Sequence, residues 1–389
     1  MSLTVSTAGP YFSSGSISFS QLRSNFKETA SGSVSASELL RVTDLTNTNP
    51  TVPNATENAN ISTSTNLKAS QFRNSIKYYN LNQGSGDTDL NLNIANSSLW
   101  NGNLGKNIVK TVTLAGTTGS STANTPAASL DAAAVYNALL VITGSILGDG
   151  GAAGTASLNG GNGGDALYIN TNSTGTVTVR TSGVSSQVYG GGGGGGYGGD
   201  GGNGGGGTYT TTSSYQETLC GGGSGFHNSG GYSQACSSQN PDASSCNCVT
   251  PNYGFSGPTW ACCNCCCTYN RTSTSTNYTS GGTGGVGGIA GLGQGYLQTR
   301  TFGGNGTSGG PGGSYAGNGG NGGNGGDGGD WGQNGQDAAN GSNGANGNYT
   351  NGTSGTSGTL GGAAGRAVSG SGYTIDTING VDSAYKGAK

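Results

Sequence analysis

The chain has 389 residues, of which 83 are glycine, while charged residues make up 8% and the formal net charge is −3. So little positive charge excludes a nucleic-acid-binding protein of the basic type, and eight prolines disfavour collagen. The sequence contains no stretch of about 20 apolar residues, so we expect no membrane insertion. The opening MSLTVSTAGPYFSS lacks the basic and apolar regions of a classical signal peptide, so we expect synthesis as a soluble protein without one.

Residues 1–80 contain a repeated motif and are predicted to form an N-terminal attachment or assembly block. The three copies are ISFSQLRSNF (17–26), VSASELLRV (34–42) and LKASQFRNSI (67–76). In the first two, Ser18 with Gln21 and Ser35 with Glu38 have the spacing of a capping box. Each copy predicts a short capped helix of about two turns, which is unstable alone and must dock within the chain or on a partner.

Residues 81–185 are predicted to be a small β-rich region that follows a polar connector (43–66). Alternating and continuous apolar patterns predict a half-buried strand at 108–114, a more fully buried strand at 140–147, and strands at 165–169 and 176–180 around a turn. Residues 129–139 fit either a helix or a strand, and the sequence leaves that segment open.

Residues 186–389 are dominated by glycine, which recurs at every third position from 317 to 335 and again from 341 to 347. This period matches an extended helix of the polyproline II type, with about three residues per turn and no internal hydrogen bonds. Ordering each residue costs roughly 1–2 kcal/mol, so one such helix alone would be disordered. Glycine blocks recur at 150–164, 190–207, 281–295, 303–329 and 332–347 and supply lateral partners. We therefore predict a bundle in which 317–347 forms one rod.

These residues together resemble a known family. The pairing of ISFSQLRSNF with VSASELLR resembles a motif of bacteriophage tail and fibre proteins, and 361–373 resembles the carboxy-terminal end of such chains. The glycine blocks are similar to the polyglycine II bundle of distal tail-fibre adhesins. The resemblance implies a mainly β and irregular fold, with a glycine-rich polyglycine II helix bundle, a small β region and short N-terminal helices. It also implies loops that bind host-surface sugars or outer-membrane proteins.

Nine cysteines fall within 48 consecutive residues of a polar insert at about 208–280, which has almost no core of its own. Such density is typical of disulfide bridges in a small extracellular fold, although short spacings also suit a thiolate metal cluster. The number is odd, so one thiol would stay free or pair between chains. The disulfide candidates are Cys220, Cys236, Cys246, Cys248, Cys262, Cys263, Cys265, Cys266 and Cys267.

No combination of residues predicts catalysis, so we expect a protein that is not an enzyme and needs no cofactor. The single histidine, His227, has no fixed acid or nucleophile in its motif, and glycine motifs outside a βαβ setting do not indicate phosphate binding.

Asp200, Asp327 and Asp330 lie in glycine repeats. We interpret them as solubilising residues of the bundle surface, with calcium binding as the lesser alternative, and predict no metal site.

Aromatic residues concentrate in and around the cysteine-rich insert. Exposed tyrosine and tryptophan next to asparagine and serine suit the recognition of sugars or protein surfaces, although such rings could also pack on the glycine bundle. The candidates for receptor binding are Tyr209, Tyr215, Phe226, His227, Tyr232, Tyr253, Phe255, Trp260, Tyr269 and Tyr278.

We therefore predict a virion tail-fibre or adhesin-like structural protein that binds a host-surface glycan or outer-membrane protein. It would assemble with other fibre subunits, as a homo-oligomer that is a trimer or a polymer, in the virion or an extracellular setting. The alternative is a glycine-rich extracellular filament whose subunits dock on one another.

Overall fold

A computed structural model describes most of the chain. The described residues are 3–5, 15–27, 33–42, 51–93 without 54, 65 and 85, 97–100, 109–132, 138–171, 177–221 without 183 and 184, 243–248, 265–377 and 382–389. Helix is confined to short pieces in this part of the chain, chiefly α1 (Phe19–Leu22), α2 (Ser97–Trp100) and single 3-10 turns. No helix in these ranges is both long and apolar enough to cross a membrane. The rest is strand or extended chain.

Eighteen strands are described, and most are short. In chain order they are β1 (Leu3–Val5), β2 (Tyr78–Gln83), β3 (Asp87–Thr88), β4 (Leu90–Asn91), β5 (Val109–Leu114), β6 (Thr117–Gly119), β7 (Ala128–Ala132), β8 (Ala138–Ile142), β9 (Ser145–Leu147), β10 (Leu167–Thr171), β11 (Val177–Thr181), β12 (Gln187–Tyr189), β13 (Gly207–Gly221), β14 (Ala243–Cys248), β15 (Cys265–Thr279), β16 (Val368–Ser371), β17 (Tyr373–Ile375) and β18 (Tyr385–Lys386).

Except for β13, β14 and β15, which form a sheet of their own, these strands join three sheets in rotation, so the chain winds as a three-sided parallel coil. The sheet orders are β1-β2-β5-β8-β11-β17, β4-β7-β10-β16 and β3-β6-β9-β12-β18. All pairings within them are parallel except that of β1 with β2. Because side chains alternate along a strand, every second residue of β5 and β11 points inward. Val112, Leu140 and Val179 thus stack on one another in the core.

The structure confirms a half-buried strand at β5, corrects the prediction for 140–147 and decides the open segment 129–139. The segment 140–147 is not one buried strand, because the chain turns a corner at Thr143 and Gly144 and divides it between β8 and β9. The helical interpretation of 129–139 is wrong where the segment is described, since it lies in β7 and the start of β8. Strands β10 and β11 are confirmed, but they belong to different sheets.

Two insertions leave the coil as extended, glycine-rich chain and form a bundle. The first lies between β9 and β10 and the second between β12 and β16. The bundle contains eight segments, numbered here in chain order: segment 1 (148–154), segment 2 (160–164), segment 3 (190–206), segment 4 (281–294), segment 5 (299–313), segment 6 (316–330), segment 7 (333–347) and segment 8 (350–366). Neighbouring segments are joined by backbone hydrogen bonds that recur every third residue, such as Gly198 N–H to Gly288 O and Gly201 N–H to Gly285 O.

Segment 3 is the centre of the bundle, and its sequence follows its surroundings. Residues 190–196 are seven consecutive glycines that exchange hydrogen bonds with segments 1, 2, 4, 6, 7 and 8. A Cβ at Gly194 would overlap the carbonyl oxygen of Ala152, and each of the other six meets a backbone oxygen in the same way. The chain reverses between segments 1 and 2 at residues 155–158, so these two segments flank only the first part of segment 3. In the rest of segment 3 every third residue has a side chain: Tyr197, Asp200 and Asn203.

Side chains at the bundle edge accept the backbone N–H groups that face outward. Thr359, Thr356 and Thr353 accept from the N–H groups of Tyr197, Asp200 and Asn203 at 2.7, 2.7 and 2.8 Å. Asparagines of segments 6 and 7 accept in the same way, again at every third residue. The repeat Gly-Gly-Asn therefore provides two backbone contacts and one side-chain acceptor per turn, and the side chain satisfies an outward-facing N–H group of the adjacent segment.

The predicted rod 317–347 is wrong as a single element. The chain reverses at Trp331 and Gly332, where the Gly332 φ is +66°. Segment 7 then pairs back on segment 6, for example through Gln336 N–H to Asp327 O and Ala345 N–H to Asn318 O. The predicted blocks 150–164 and 303–329 likewise each contain a reversal, and segment 8 was not predicted.

The N-terminal block forms a small core of its own. The buried residues of this core come from all three copies of the repeat and from the connector between them: Leu22, Phe26, Leu39, Val52, Ile61 and Phe72. Phe26 and Phe72 meet edge to face with ring centroids 5.6 Å apart. The Ser18–Gln21 capping box is confirmed, and Ser35 and Glu38 exchange the same pair of bonds at 2.7 and 3.3 Å. The short segments therefore dock on one another.

Candidate functional site

The end of the bundle remote from the three sheets carries a protruding β-hairpin. Segment 3 runs directly into β13, and β15 runs directly into segment 4. The two strands pair antiparallel over fifteen residues, from Gly207 opposite Thr279 to Gly221 opposite Cys265. The predicted loop at 208–280 is therefore strand at both of its ends. Threonine-rich runs such as TYTTTS and TSTSTN favour strands because β-branched side chains suit a pleated surface.

Four tyrosines surround the base of this hairpin, and we call them the tyrosine collar: Tyr209, Tyr278, Tyr315 and Tyr349. They form two pairs, since the rings of Tyr209 and Tyr315 lie 6.4 Å apart and those of Tyr278 and Tyr349 lie 5.1 Å apart. Tyr278, Tyr315 and Tyr349 are 66%, 69% and 60% exposed. Aromatic pairs at these separations attract each other through their ring quadrupoles, so each pair holds its two rings in a fixed relation.

The two pairs lie on opposite faces of the hairpin. Thr208 stands opposite Tyr278 in the strand register, and residues directly opposite share a face. Tyr209 follows Thr208, so it points to the other face. Each face of the ribbon thus carries one strand tyrosine and one tyrosine from a turn of the bundle.

Hydrogen bonds fasten the hairpin base to the two turns that supply the outer tyrosines. The N–H of Thr208 donates to Asn348 Oδ1 at 2.7 Å, and Asn348 Nδ2 donates back to Thr208 O at 2.8 Å. Thr279 Oγ1 donates to Ser314 O at 2.7 Å. The collar is therefore attached to the bundle at both turns, and its rings are positioned by the rigid segments beneath them.

Tyr315 has a φ of +59°, in the left-handed region that bulky residues rarely adopt. Such a residue costs of order 1–3 kcal/mol and tends to occur where function requires it. Glycine would fit this position without strain.

The collar lies in an uncharged environment. No lysine, arginine, aspartate or glutamate occurs in 201–216, 272–299, 301–326 or 338–365, which cover the hairpin base and the distal part of the bundle. Asp149, whose pKa is raised by burial, lies in segment 1 next to the sheets. Clustered charge of one sign, which attracts charged ligands over long distances, is therefore absent from this end of the described structure.

The predicted receptor-binding residues divide into three groups. Tyr209 and Tyr278 belong to the collar, and Tyr215 lies further along β13 with 49% of its surface exposed. Tyr269 lies in β15. The remaining candidates fall outside the described residues: Phe226, His227, Tyr232, Tyr253, Phe255 and Trp260. Tyr315 and Tyr349 were not predicted, although each is a bulky residue at the end of a glycine-repeat segment, which is the signal that could have identified it.

Six of the nine cysteines lie in the three-stranded sheet at the far end of the hairpin. In the register of β13, β15 and β14, Cys220 stands opposite Cys266, Cys246 opposite Cys267 and Cys248 opposite Cys265. Cys236, Cys262 and Cys263 lie outside the described residues. The alignment brings three pairs of cysteines into direct cross-strand positions.

The three aspartates of the glycine repeats bind backbone groups. Asp200 accepts the N–H of Gly287 at 2.8 Å, Asp327 that of Gly303 at 2.9 Å and Asp330 that of Trp331 at 2.7 Å. No cluster of three or more histidine, cysteine, aspartate or glutamate residues suited to a metal ion occurs in the described parts of the chain.

Comparison with known families gives one match. Residues 77–260 match the family model described as phage tail fibre adhesin Gp38. This region is a little under half of the chain and runs from β2 through the sheets and segments 1 to 3 into the cysteine-rich insert. Neither the curated proteins nor the solved structures include a match to the chain.

Proposed function

We propose that this protein binds the host cell surface from the distal end of its glycine bundle, a proposal supported by the match of residues 77–260 to the family model of phage tail fibre adhesins. The observation that carries the proposal is the tyrosine collar, an exposed set of rings positioned by rigid segments at the point where the hairpin emerges. Tyrosine gives a large rigid contact area with a polar tip, which suits recognition. The protein would act by binding, in the virion, and not as an enzyme.

We propose that the glycine segments form a polyglycine II bundle that serves as a stiff support. Each segment makes lateral backbone bonds at 2.7–3.1 Å along its whole length, and the three-residue period is that of the extended helix. One net hydrogen bond contributes about 1 kcal/mol, and fixing a residue costs about 1–2 kcal/mol. The bundle is therefore stable only because most segments bond on several sides at once, which couples them into one unit.

We propose that disulfide bonds hold the far end of the hairpin. Directly opposite residues of antiparallel strands have Cα atoms about 4.5 or 5.5 Å apart, within the range that a disulfide spans. The register therefore favours Cys220–Cys266, Cys246–Cys267 and Cys248–Cys265. Each bond forms when two thiols lose two protons and two electrons to molecular oxygen, which is reduced to hydrogen peroxide. The bridges would stabilise a sheet that adds no hydrophobic core.

We propose that the N-terminal block attaches the protein to other fibre subunits, in an assembly that is a homo-oligomer or contains a partner subunit. The block buries its own apolar residues, yet Phe19 remains 67% exposed. An exposed aromatic ring on a small block whose other apolar residues are buried is suited to contact with the surface of another subunit.

Cell binding by the purified full-length chain tests the adhesin assignment. We expect the fluorescently labelled protein to bind at least one strain of a bacterial panel. A variant in which residues 212–274 are replaced by Asn-Gly, a favoured two-residue hairpin turn, should bind about tenfold more weakly if the hairpin end makes contacts of its own. Failure to bind any strain would overturn the adhesin assignment, and equal binding of the shortened variant would confine the contact to the collar.

A further inference from the structure

We propose that the tyrosine collar binds an uncharged saccharide chain, with sugar rings stacked on the tyrosines of each hairpin face. This inference rests on the proposed adhesin function and adds the chemical class of the ligand. Four features of the described structure support it: the arrangement of the rings, the polar groups around them, the strained backbone at Tyr315 and the absence of charge.

The arrangement of the rings suits small ligand units. Tyr209 with Tyr315 and Tyr278 with Tyr349 form two separate two-ring platforms, one on each face of the ribbon. A stable protein partner covers about 800 Å² of continuous surface around a packed apolar centre. Two small platforms separated by a strand pair do not provide such a centre. Each platform has the dimensions of one or two sugar rings, whose C–H faces pack on aromatic rings while their hydroxyls bond to polar neighbours.

Polar groups suited to sugar hydroxyls surround each platform. Asn348, Thr350 and Ser314 lie beside the outer tyrosines in the two turns, and Asn277 lies opposite Tyr209 in the hairpin. Hydroxyl and amide groups both donate and accept hydrogen bonds, as sugar hydroxyls do. The chemistry around the rings is therefore that of a carbohydrate surface.

The backbone at Tyr315 indicates that its ring serves a purpose other than folding. Its φ of +59° would be relaxed by glycine, and its side chain is 69% exposed. Bulky residues also occur at the other reversals, such as Leu158, Trp331 and Tyr349, but Tyr315 is the one among them with a positive φ, which makes tyrosine costly to stability at this position. An exposed ring held at such a cost is consistent with ligand contact.

The absence of charged side chains around the collar favours neutral over anionic saccharides. The hairpin base and the distal bundle contain no cationic side chain in 201–216, 272–299, 301–326 and 338–365. Phosphorylated or uronate-containing glycans are bound by arginine and lysine, which form charge-assisted hydrogen bonds. A neutral hexose or N-acetylhexosamine chain matches the collar, because it loses no charge hydration on binding.

A glycan array tests the ligand class directly. The labelled full-length protein is applied to neutral hexose and N-acetylhexosamine oligosaccharides and to their phosphorylated and uronate-bearing counterparts. We expect binding to neutral members, with an affinity that changes less than about twofold when salt rises tenfold, because no ion pair is screened. The double variant Tyr278→Ala, Tyr349→Ala should bind roughly tenfold more weakly. The control Phe302→Ala, which removes a 69% exposed ring from the side of the bundle, should bind normally.

Tyr315→Gly separates ligand contact from a structural role. We expect weaker glycan binding together with an unchanged or raised melting temperature, because glycine relieves the strained φ. A lowered melting temperature with normal glycan binding would overturn the assignment of Tyr315. Binding confined to charged glycans would overturn the inference. It would also be overturned if the protein bound no glycan on the array and if protease treatment of the cells abolished its binding to them. Absence of cell binding altogether would instead contradict the adhesin function.

Discussion

The N–H of Leu360 donates a 3.1 Å hydrogen bond to Oδ1 of Asn159, which lies 201 residues earlier in the chain. The same offset recurs from Asn162 to Ala363, from Asp165 to Arg366, and then in the sheet, where Leu167 stands opposite Val368. Segments 2 and 8 therefore enter β10 and β16 without a change of register. The bundle is a continuation of the parallel coil, and the distal hairpin is held at a fixed position relative to the sheets.

The central position of segment 3 predicts a strong effect of one added methyl group. We expect Gly194→Ala to lower the free energy of unfolding by about 3 kcal/mol, because its Cβ overlaps the carbonyl oxygen of Ala152. Gly206→Ala is the matched control in the same segment, since its Cβ comes no closer than 3.3 Å to another atom. Scanning calorimetry of both variants checks the prediction, and equal melting temperatures would show that segment 3 is not enclosed.

The threonine ladder on segment 8 predicts an effect of the hydroxyl groups alone. Replacing Thr353, Thr356 and Thr359 together by valine keeps the branched shape but removes three acceptors of backbone N–H groups. We expect a loss of about 1 kcal/mol per site. The corresponding triple serine variant keeps the oxygens and should unfold nearer to wild type. If both triple variants lose equal stability, the methyl groups and not the hydrogen bonds are responsible.

The N-terminal block should lose stability in acid through Glu38. Hydrogen bonds from Lys27 and from Ser35 lower the pKa of the Glu38 carboxyl from 4.5 to about 2. Because the folded pKa is depressed, the contribution is complete above about pH 4.5 and is lost as the pH falls towards 2. The hydrogen-exchange protection factors of residues 33–42, which are corrected for the intrinsic effect of pH on amide exchange, should therefore decrease across this window.

Glu38→Gln should remove that pH dependence from residues 33–42, whereas Glu217→Gln, outside the block, should retain it. Glutamine keeps an acceptor for Ser35 but carries no charge for Lys27. Protection factors of Glu38→Gln that still decrease with falling pH in this range would assign the acid sensitivity to another carboxyl.

Thiol counting tests the proposed cysteine pairs. Under denaturing, non-reducing conditions, Cys220→Ser should expose one additional thiol, because Cys266 loses its partner. The double variant Cys220→Ser, Cys266→Ser should expose none. The mismatched double variant Cys220→Ser, Cys267→Ser should expose two, one from Cys266 and one from Cys246. Any other pattern would contradict the register-based pairing, and a wild-type protein with all nine thiols free would contradict disulfide bonding itself.

Much of the secondary structure was predictable because it depends on local pattern. The alternation in β5 and the Ser18–Gln21 capping box are both short-range signals, and both are confirmed. The parallel coil was not predicted, since its strands pair with residues about 30 positions away and strands such as β9 have only three residues. Local alternation does not reveal such pairing.

The bundle shows the same limit at a larger scale. The three-residue period identifies extended glycine chain, yet it is identical on both sides of the reversal at Gly332. The interruption of the period by Trp331 was the available signal for that turn, as Tyr315 and Tyr349 were for the distal turns. These bulky residues identify where segments end, and in the distal turns they also identify the candidate binding surface.

Hydrogen–deuterium exchange of residues 190–206 is the most direct test of whether the glycine-rich half is a hydrogen-bonded support. Twelve N–H groups in this segment donate to neighbouring segments through backbone bonds of 2.8–3.0 Å. We expect their exchange to be slowed by a factor of roughly 1,000 or more relative to an unstructured chain. Exchange of these glycines at the unprotected rate would show a solvated linker and would contradict the account of a rigid stalk that carries the tyrosine collar.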